Sequence, residues 1–187
     1  MRQAVYSVLK QPYQKLEIVL VDDGSTDGSS ELSDELANKN NKVITIHQEN
    51  GGVSKARNTG IEYILANYRE LEEKIYVSFL DADDVWSTAF LNKQVNESIM
   101  KGFDLIGFQS CLCNSDLSRR SEPISLEVGE YYGGNRALWI HAGQHFGAMF
   151  YRADLLSKYN IRFKKIKYSE DKIFQMTCMF LASNIYL

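Results

Sequence analysis

Two short apolar runs, each ending abruptly in carboxylates, constrain this chain most. Leu16-Glu17-Ile18-Val19-Leu20-Val21 leads into Asp22-Asp23-Gly24-Ser25-Thr26-Asp27, and Ile75-Tyr76-Val77-Ser78-Phe79-Leu80 leads into Asp81-Ala82-Asp83-Asp84. Runs of that length, rich in Val, Ile and aromatics and stopped by turn formers, suit buried strands of a mostly parallel sheet. Around them the apolar period becomes helical. Val5, Val8 and Leu9 share a face that stops near Gln11-Pro12. A polar helix is expected over 27–40 with Leu32 and Leu36 inward, then a strand over 43–46. Gly51-Gly52 opens a helix with Ala56, Ile61, Ile64 and Leu65 on its inner side. A helix over 87–100 and a strand over 104–109 complete a strand–helix alternation that predicts an α/β, doubly wound sheet. In such sheets the ligand crevice lies at the carboxyl ends of the strands, where both acidic clusters fall.

The pattern changes beyond Cys113. Residues 114–123 read as a polar turn and 124–132 alternate as an exposed strand would. Gly133-Gly134 precedes a short helix ending near His141. A strand is expected over 146–151 and a helix over 153–158. A second helix over 169–183 should turn Ile173, Phe174, Met176, Thr177 and Phe180 inward. A further strand begins at Asn184.

With 187 residues, 44% of them hydrophobic, the chain is long enough for one domain with a sizeable core. A net charge of −3 without a Lys/Arg stripe argues against nucleic acid as a partner. The densest basic run, Lys164-Lys165-Ile166-Lys167, reads as a solvated loop, with an anionic substrate or membrane surface as the other reading. Cys111, Cys113 and Cys178 are odd in number, and the first two are too close in an extended strand for a relaxed disulfide. Free, mostly buried thiols in a reducing compartment are expected. The chain opens in an amphipathic helix rather than a signal peptide, and no apolar stretch approaches the roughly 20 residues that span a bilayer. A cytoplasmic location, at or near the inner face of the membrane, is the expectation.

The acidic clusters carry the chemistry. Gly24 through Asp27 are good turn and helix-capping residues, but that does not explain two adjacent carboxylates, whose repulsion asks for a ligand or cation. Asp81, Asp83 and Asp84 place hard oxygens on one short turn, as Mg²⁺ or Mn²⁺ bridged to a diphosphate requires. The amides of Gly51 and Gly52 at a helix start can approach an anion. Lys55 and Arg57 can project towards the same crevice, although two exposed cations on a helix are commonplace. Ser169-Glu170-Asp171 by itself is ordinary helix-dipole compensation. His47, His141 and His145 have no spacing that argues for a metal site.

Taken in order, the clusters resemble those of the family 2 inverting glycosyltransferases of the GT-A fold. The likeness runs through Ala4-Val5-Tyr6-Ser7-Val8-Leu9-Lys10-Gln11-Pro12-Tyr13, Glu17-Ile18-Val19-Leu20-Val21-Asp22-Asp23-Gly24-Ser25-Thr26-Asp27, Asn50 to Gly60, Leu80-Asp81-Ala82-Asp83-Asp84 and Ser169-Glu170-Asp171. Each motif alone is weak; five in the family's order are specific. The resemblance implies a role for each position. Asp23 contacts the nucleotide base with Asp22 beside it, and Asp81 lies near the ribose. Asp83 binds the Mn²⁺ or Mg²⁺ that bridges the diphosphate, and Asp171 is the general base. Lys55 and Arg57 join the nucleotide site.

The implied function is inverting transfer of a sugar from a nucleoside diphosphate, UDP by resemblance, to a glycan or lipid-linked acceptor in cell-surface polysaccharide synthesis. Peripheral membrane association of the full-length protein and a homodimer are further expectations. Residues 1–187 then form one domain, with 1–110 the nucleotide-binding half and 111–187 the acceptor side. Family members begin with a strand that ends in a Pro-x-Tyr-Asn type segment and sits centrally in the sheet. This chain starts after it and stops at Asn184-Ile185-Tyr186-Leu187 without the family's usual C-terminal extension, so a domain truncated at both ends and lacking that strand is expected. An inactive remnant acting as a nucleotide-binding or interaction module is the alternative. A receiver domain would carry Asp-Asp at its first strand and lack the later acidic helix start. A haloacid-dehalogenase-like phosphatase would follow Asp-x-Asp with Gly-Thr or Gly-Val, where this chain has Asp84-Val85.

Overall fold

The computed structural model describes residues 1–13, 15–68, 74–87, 91, 93–108, 110–114, 116, 118, 121, 130–132 and 146–187. Along the chain lie α1 (Arg2–Leu9), β1 (Ile18–Asp22), α2 (Ser29–Lys39), β2 (Val43–His47), α3 (Val53–Tyr68), β3 (Tyr76–Val77) and α4 (Lys93–Lys101). There follow β4 (Leu105–Gly107), β5 (Glu130–Tyr132), β6 (Met149–Arg152), α5 (Ala153–Lys158), α6 (Glu170–Leu181) and β7 (Asn184–Tyr186). The expected α/β alternation is present. The helix expected to end at His141, and residues 124–129 of the exposed strand, lie outside the described residues.

Hydrogen bonding divides the strands into two sheets rather than one. β1 and β2 pair in parallel, from Ile18 opposite Val43 to Asp22 opposite His47. The other strands are ordered β3-β6-β4-β7-β5. β4 and β7 are parallel, while β6 runs against β3 and β4, and β5 against β7. β3, β4 and β7 therefore share one direction. Among the described residues β1 and β2 at the two edges of the first sheet, and β3 and β5 at those of the second, each have one edge without a ladder partner. The open edge of β1 corrects one expectation. Ile18, Val19, Leu20 and Val21 read as a fully buried strand but are only half-buried, although α2 and α3 pack against it.

The main core gathers Ile61 of α3, Leu105, Met149 and Tyr151 of the second sheet, Leu156 of α5, and Phe174 and Cys178 of α6. At its centre Phe163 lies flat on Phe174 with centroids 3.9 Å apart, and Phe79 meets Phe163 and Phe174 edge-on. Stacked and edge-on rings are the arrangements that the aromatic quadrupole favours. A smaller cluster under the first sheet joins Val5, Leu36 and Val43.

Helix α6 buries Phe174, Gln175, Cys178 and Met179, whereas Ile173 and Phe180 are 45% and 57% exposed. The expected inward set was therefore too wide. At 100° per residue, positions 174, 175, 178 and 179 form one stripe and 173, 177 and 180 the next. Gln175 is buried despite its polarity, with its side-chain amide directed at the Met149 sulfur, 3.1 Å away. The thiols also depart from expectation: all three are free, but Cys111 and Cys113 are exposed and only Cys178 is buried. The first two lie past the end of β4, where no core covers them.

Candidate active site

The ends of β1 and β2 are laced together residue by residue. The Asp22 carbonyl accepts the Gln48 N–H at 2.9 Å. One carboxylate oxygen of Asp22 accepts the Ser25 N–H at 3.1 Å, and the other lies 3.0 Å from Nδ1 of His47. Asp23 accepts from the Gln48 side-chain amide at 2.5 Å, and from the N–H groups of Gly51 and Gly52 at 2.9 and 2.7 Å. Gln48 in turn accepts from the Thr59 hydroxyl at 2.5 Å. The expectation that these glycine amides approach an anion holds, and the anion is the Asp23 carboxylate itself. Gly24 turns the chain at φ +76, and a Cβ there would sit 3.0 Å from the Asn50 nitrogen, so this turn requires glycine.

Both carboxylates are held ionised. Bonds from Ser25 and then His47 pull the Asp22 pKa down to about 2. Partial burial works to raise that of Asp23, but donation from Gln48, Gly51 and Gly52, with the charge of Lys55, outweighs it and leaves the pKa lowered. The sequence flagged Asp22 and Asp23 but not Gln48 or Thr59, which have no motif of their own.

Helix α3 ties this corner to the second one. Its Arg57 reaches Asp81 with Nη2 and Glu170 with Nη1, each at 3.2 Å. The guanidinium is 13% exposed, with its carbon 4.1 Å from the Phe146 ring centroid and 5.3 Å from that of Phe163. Lys55 serves the other corner, its ammonium bonded to the Glu49 carbonyl at 3.1 Å. Two residues on a helix are about 200° apart, so these two cations point different ways rather than into one cluster. Ser54 and Asn58, four apart on a common face, fasten α3 to the segment before α6. Ser54 donates to the Lys164 carbonyl at 2.9 Å, and Asn58 both donates to the Phe163 carbonyl at 2.9 Å and accepts its N–H at 2.8 Å. Asn58→Ala removes both of the latter and leaves part-buried backbone groups unpaired. It should lower unfolding stability by about 1–3 kcal/mol, read by urea denaturation.

Asp81 to Asp84 form a turn closed by the Asp84 N–H on the Asp81 carbonyl at 3.0 Å, with the Met1 amino group donating to the Ala82 carbonyl. Asp83 is exposed on this turn. Asp171 is half-buried in the first turn of α6, after Ser169 at φ +64, and its carboxylate accepts the Lys172 N–H at 2.7 Å. Arg57 thus brings the Asp-x-Asp turn to the start of α6, holding Asp81 on one side and Glu170, the neighbour of Asp171, on the other. Glu170 looks like simple dipole compensation in the sequence; its functional signal is the buried cation it meets.

Among the described residues no three His, Cys, Asp or Glu side chains are grouped to hold a metal ion. That donor set still fits Mg²⁺ or Mn²⁺. These ions keep several waters and take one or two carboxylates together with substrate phosphates, rather than a cage built wholly from protein. Asp83, an exposed carboxylate on the turn that follows β3, has the hard-oxygen chemistry such a site requires.

Several known proteins are similar to this chain. EpsJ, an uncharacterized glycosyltransferase of Bacillus subtilis, is 28% identical over 196 residues, covering 98% of this chain and 53% of EpsJ. Glycosyltransferase GlyG of Streptococcus pneumoniae is 42% identical over 84 residues, 44% of this chain and 25% of GlyG. The structure of S. aureus TarS residues 1–349 in complex with UDP superposes with a TM-score of 0.77 at 25% identity, covering 99% of this chain and 52% of TarS 1–349. A second structure of that protein, with UDP-GlcNAc, gives 0.76 at the same identity. The fold is that of the GT-A glycosyltransferases. The chain spans about half the length of EpsJ and of TarS 1–349. The profile of Glycosyl transferase family 2 matches residues 1–159, well over half of the sequence, and the chain belongs to that family.

Proposed function

We propose that this chain carries the donor-binding and catalytic face of an inverting glycosyltransferase that moves a sugar from a UDP-sugar to a glycan or lipid-linked acceptor. The observation that carries this reading is Arg57, which holds Asp81 and Glu170 together. A donor whose ribose lies at Asp81 would then present its sugar to Asp171. Support for UDP comes from TarS, solved with UDP and with UDP-GlcNAc.

In this reading Asp23 faces the base, with Asp22 and Lys55 beside it, in a nucleotide half over 1–110; residues 111–187 form the acceptor side. Asp83 would hold Mn²⁺ or Mg²⁺, which supplies neutralisation of the charge on the departing diphosphate. As the acceptor hydroxyl attacks the anomeric carbon opposite the leaving group, the carbon–oxygen bond to the diphosphate breaks. Asp171 takes the hydroxyl proton. Among the described residues no helix is long and apolar enough to cross a membrane. We place the reaction on the cytoplasmic side, at the membrane's inner face, in cell-surface polysaccharide synthesis.

Calorimetric titration of nucleotide sugars with Mn²⁺, followed by assay of hydrolysis and transfer, tests the reading. Binding should favour UDP-sugars and weaken when the metal is chelated. A protein that binds, hydrolyses and transfers none of them is not this enzyme.

A further inference from the structure

His47 closes β2 and takes no part in the chemistry above, yet both its ring nitrogens are engaged by carboxylates. Nδ1 lies 3.0 Å from Asp22 Oδ2 and Nε2 lies 2.9 Å from Asp34 Oδ1. The Ser30 hydroxyl is 3.2 Å from the same Nδ1. An ionised carboxylate only accepts, and a neutral imidazole has one N–H, so both contacts are hydrogen bonds only when the ring is an imidazolium. Loss of one proton turns one contact into a lone pair facing a carboxylate.

The Asp22 end of this bridge is sheltered, its side chain 8% exposed, whereas that of Asp34 is 56% exposed and free to turn to water. Next in the chain, Gln48 is bonded through its backbone to the Asp22 carbonyl and through its side chain to the Asp23 carboxylate. His47 and Gln48 of one strand therefore grip Asp22 and Asp23 of the other.

We infer that His47 is a positioning residue of the nucleotide site: as imidazolium it braces Asp22 and, through Gln48, Asp23, so nucleotide-sugar binding weakens when the ring loses its proton. The inference rests on the donor reading given above. Two effects act in the same direction. Deprotonation slackens the brace, and it removes the positive charge that offsets Asp22 from β1 and Asp34 from α2, with Asp27 close to Asp22. An anionic donor then meets a more negative corner. The bonds to Asp22 and then Asp34 raise the His47 pKa above its ordinary value. The imidazolium, and the brace with it, is therefore lost only as pH rises through this raised folded-state value. Its contribution to folding stability is complete below the unfolded histidine pKa and is lost over the same rise.

UDP-N-acetylglucosamine is a suitable probe, because its diphosphate diester keeps a constant charge across this range. With Mg²⁺ present, affinity of the wild-type protein should fall roughly 3–10-fold between about pH 6 and about pH 8.5, below the ionisation of the uracil ring. His47→Gln, which cannot titrate, should be weaker at the lower pH and flat across the range. Asp34→Asn should keep the slope but move its midpoint down. Nitrogen-15 spectra of the ring should show both nitrogens protonated at neutral pH in the wild type. A neutral His47 ring at about pH 6.5, a flat wild-type profile, or the same slope in His47→Gln would each overturn the inference. Absence of binding at about pH 6 defeats the donor reading instead, and is recognised separately from a missing slope.

Discussion

Asp171→Asn should lower turnover by about 10²–10⁴-fold while leaving UDP affinity within about two-fold of wild type. The substitution keeps the shape of the side chain, its place in the first turn of α6 and its acceptance of the Lys172 N–H, and removes only the capacity to take a proton. In the proposed mechanism that capacity would matter as the acceptor hydroxyl attacks and not when the donor binds, so the loss is expected in kcat. Asp83→Ala should behave in the opposite way. Its carboxylate is exposed on the turn after β3 and in the proposed site would hold the metal, so UDP titrated with Mn²⁺ should bind at least about ten-fold more weakly, with little change when metal is absent. Calorimetry with UDP and a transfer assay on both variants separate the roles. An Asp171→Asn protein that no longer binds UDP, beside an Asp83→Ala protein that still does, would reverse the assignment.

The half of the chain that carries α/β alternation was legible because its apolar runs are short, uniform and stopped by turn residues. Asp22 and Asp23 stand at the end of β1 as that pattern demands. The strand expected over 75–80 instead pairs only at Tyr76 and Val77, so Asp81 and Asp83 lie on the turn beyond it. Less legible was anything decided by a partner distant in sequence. Ile18 to Val21 read as a buried strand, but burial of a strand depends on what lies at its second edge, which its own sequence does not encode. Ile173 and Phe180 were assigned inward from hydrophobicity alone; the core instead took the stripe with Gln175, whose amide faces Met149. The site shows the same division. Carboxylates announce themselves in clusters, whereas Gln48, Thr59 and Glu170 are ordinary residues until the fold sets them against Asp23 and Arg57. The spacing of His47 from the other histidines carries no signal, because its partners are carboxylates on β1 and α2.

Arg57 is the residue whose loss should be felt in both stability and function. Replacing it by Ala leaves Glu170, 16% exposed, and Asp81 without their shared cation, and uncovers the Phe146 ring on which the guanidinium lies. Removing one member of a buried ion pair costs about 3–5 kcal/mol, and a cation over an aromatic face contributes about 0.5–2 kcal/mol. Asp81 retains 39% exposure and can be rehydrated, so a net loss of about 2–4 kcal/mol is expected. Turnover should fall more than stability at assay temperature explains, because the Asp-x-Asp turn and the start of α6 lose the group that fixes their separation. Arg57→Lys discriminates the two effects. A single ammonium can restore charge over Phe146 and one ion pair, but it cannot reach two carboxylates through a planar fork. It should therefore recover most of the melting temperature and little of the turnover. If Arg57→Lys regains both together, Arg57 acts as a point charge in the core, and the geometric coupling of Asp81 to Glu170 is not what supports catalysis.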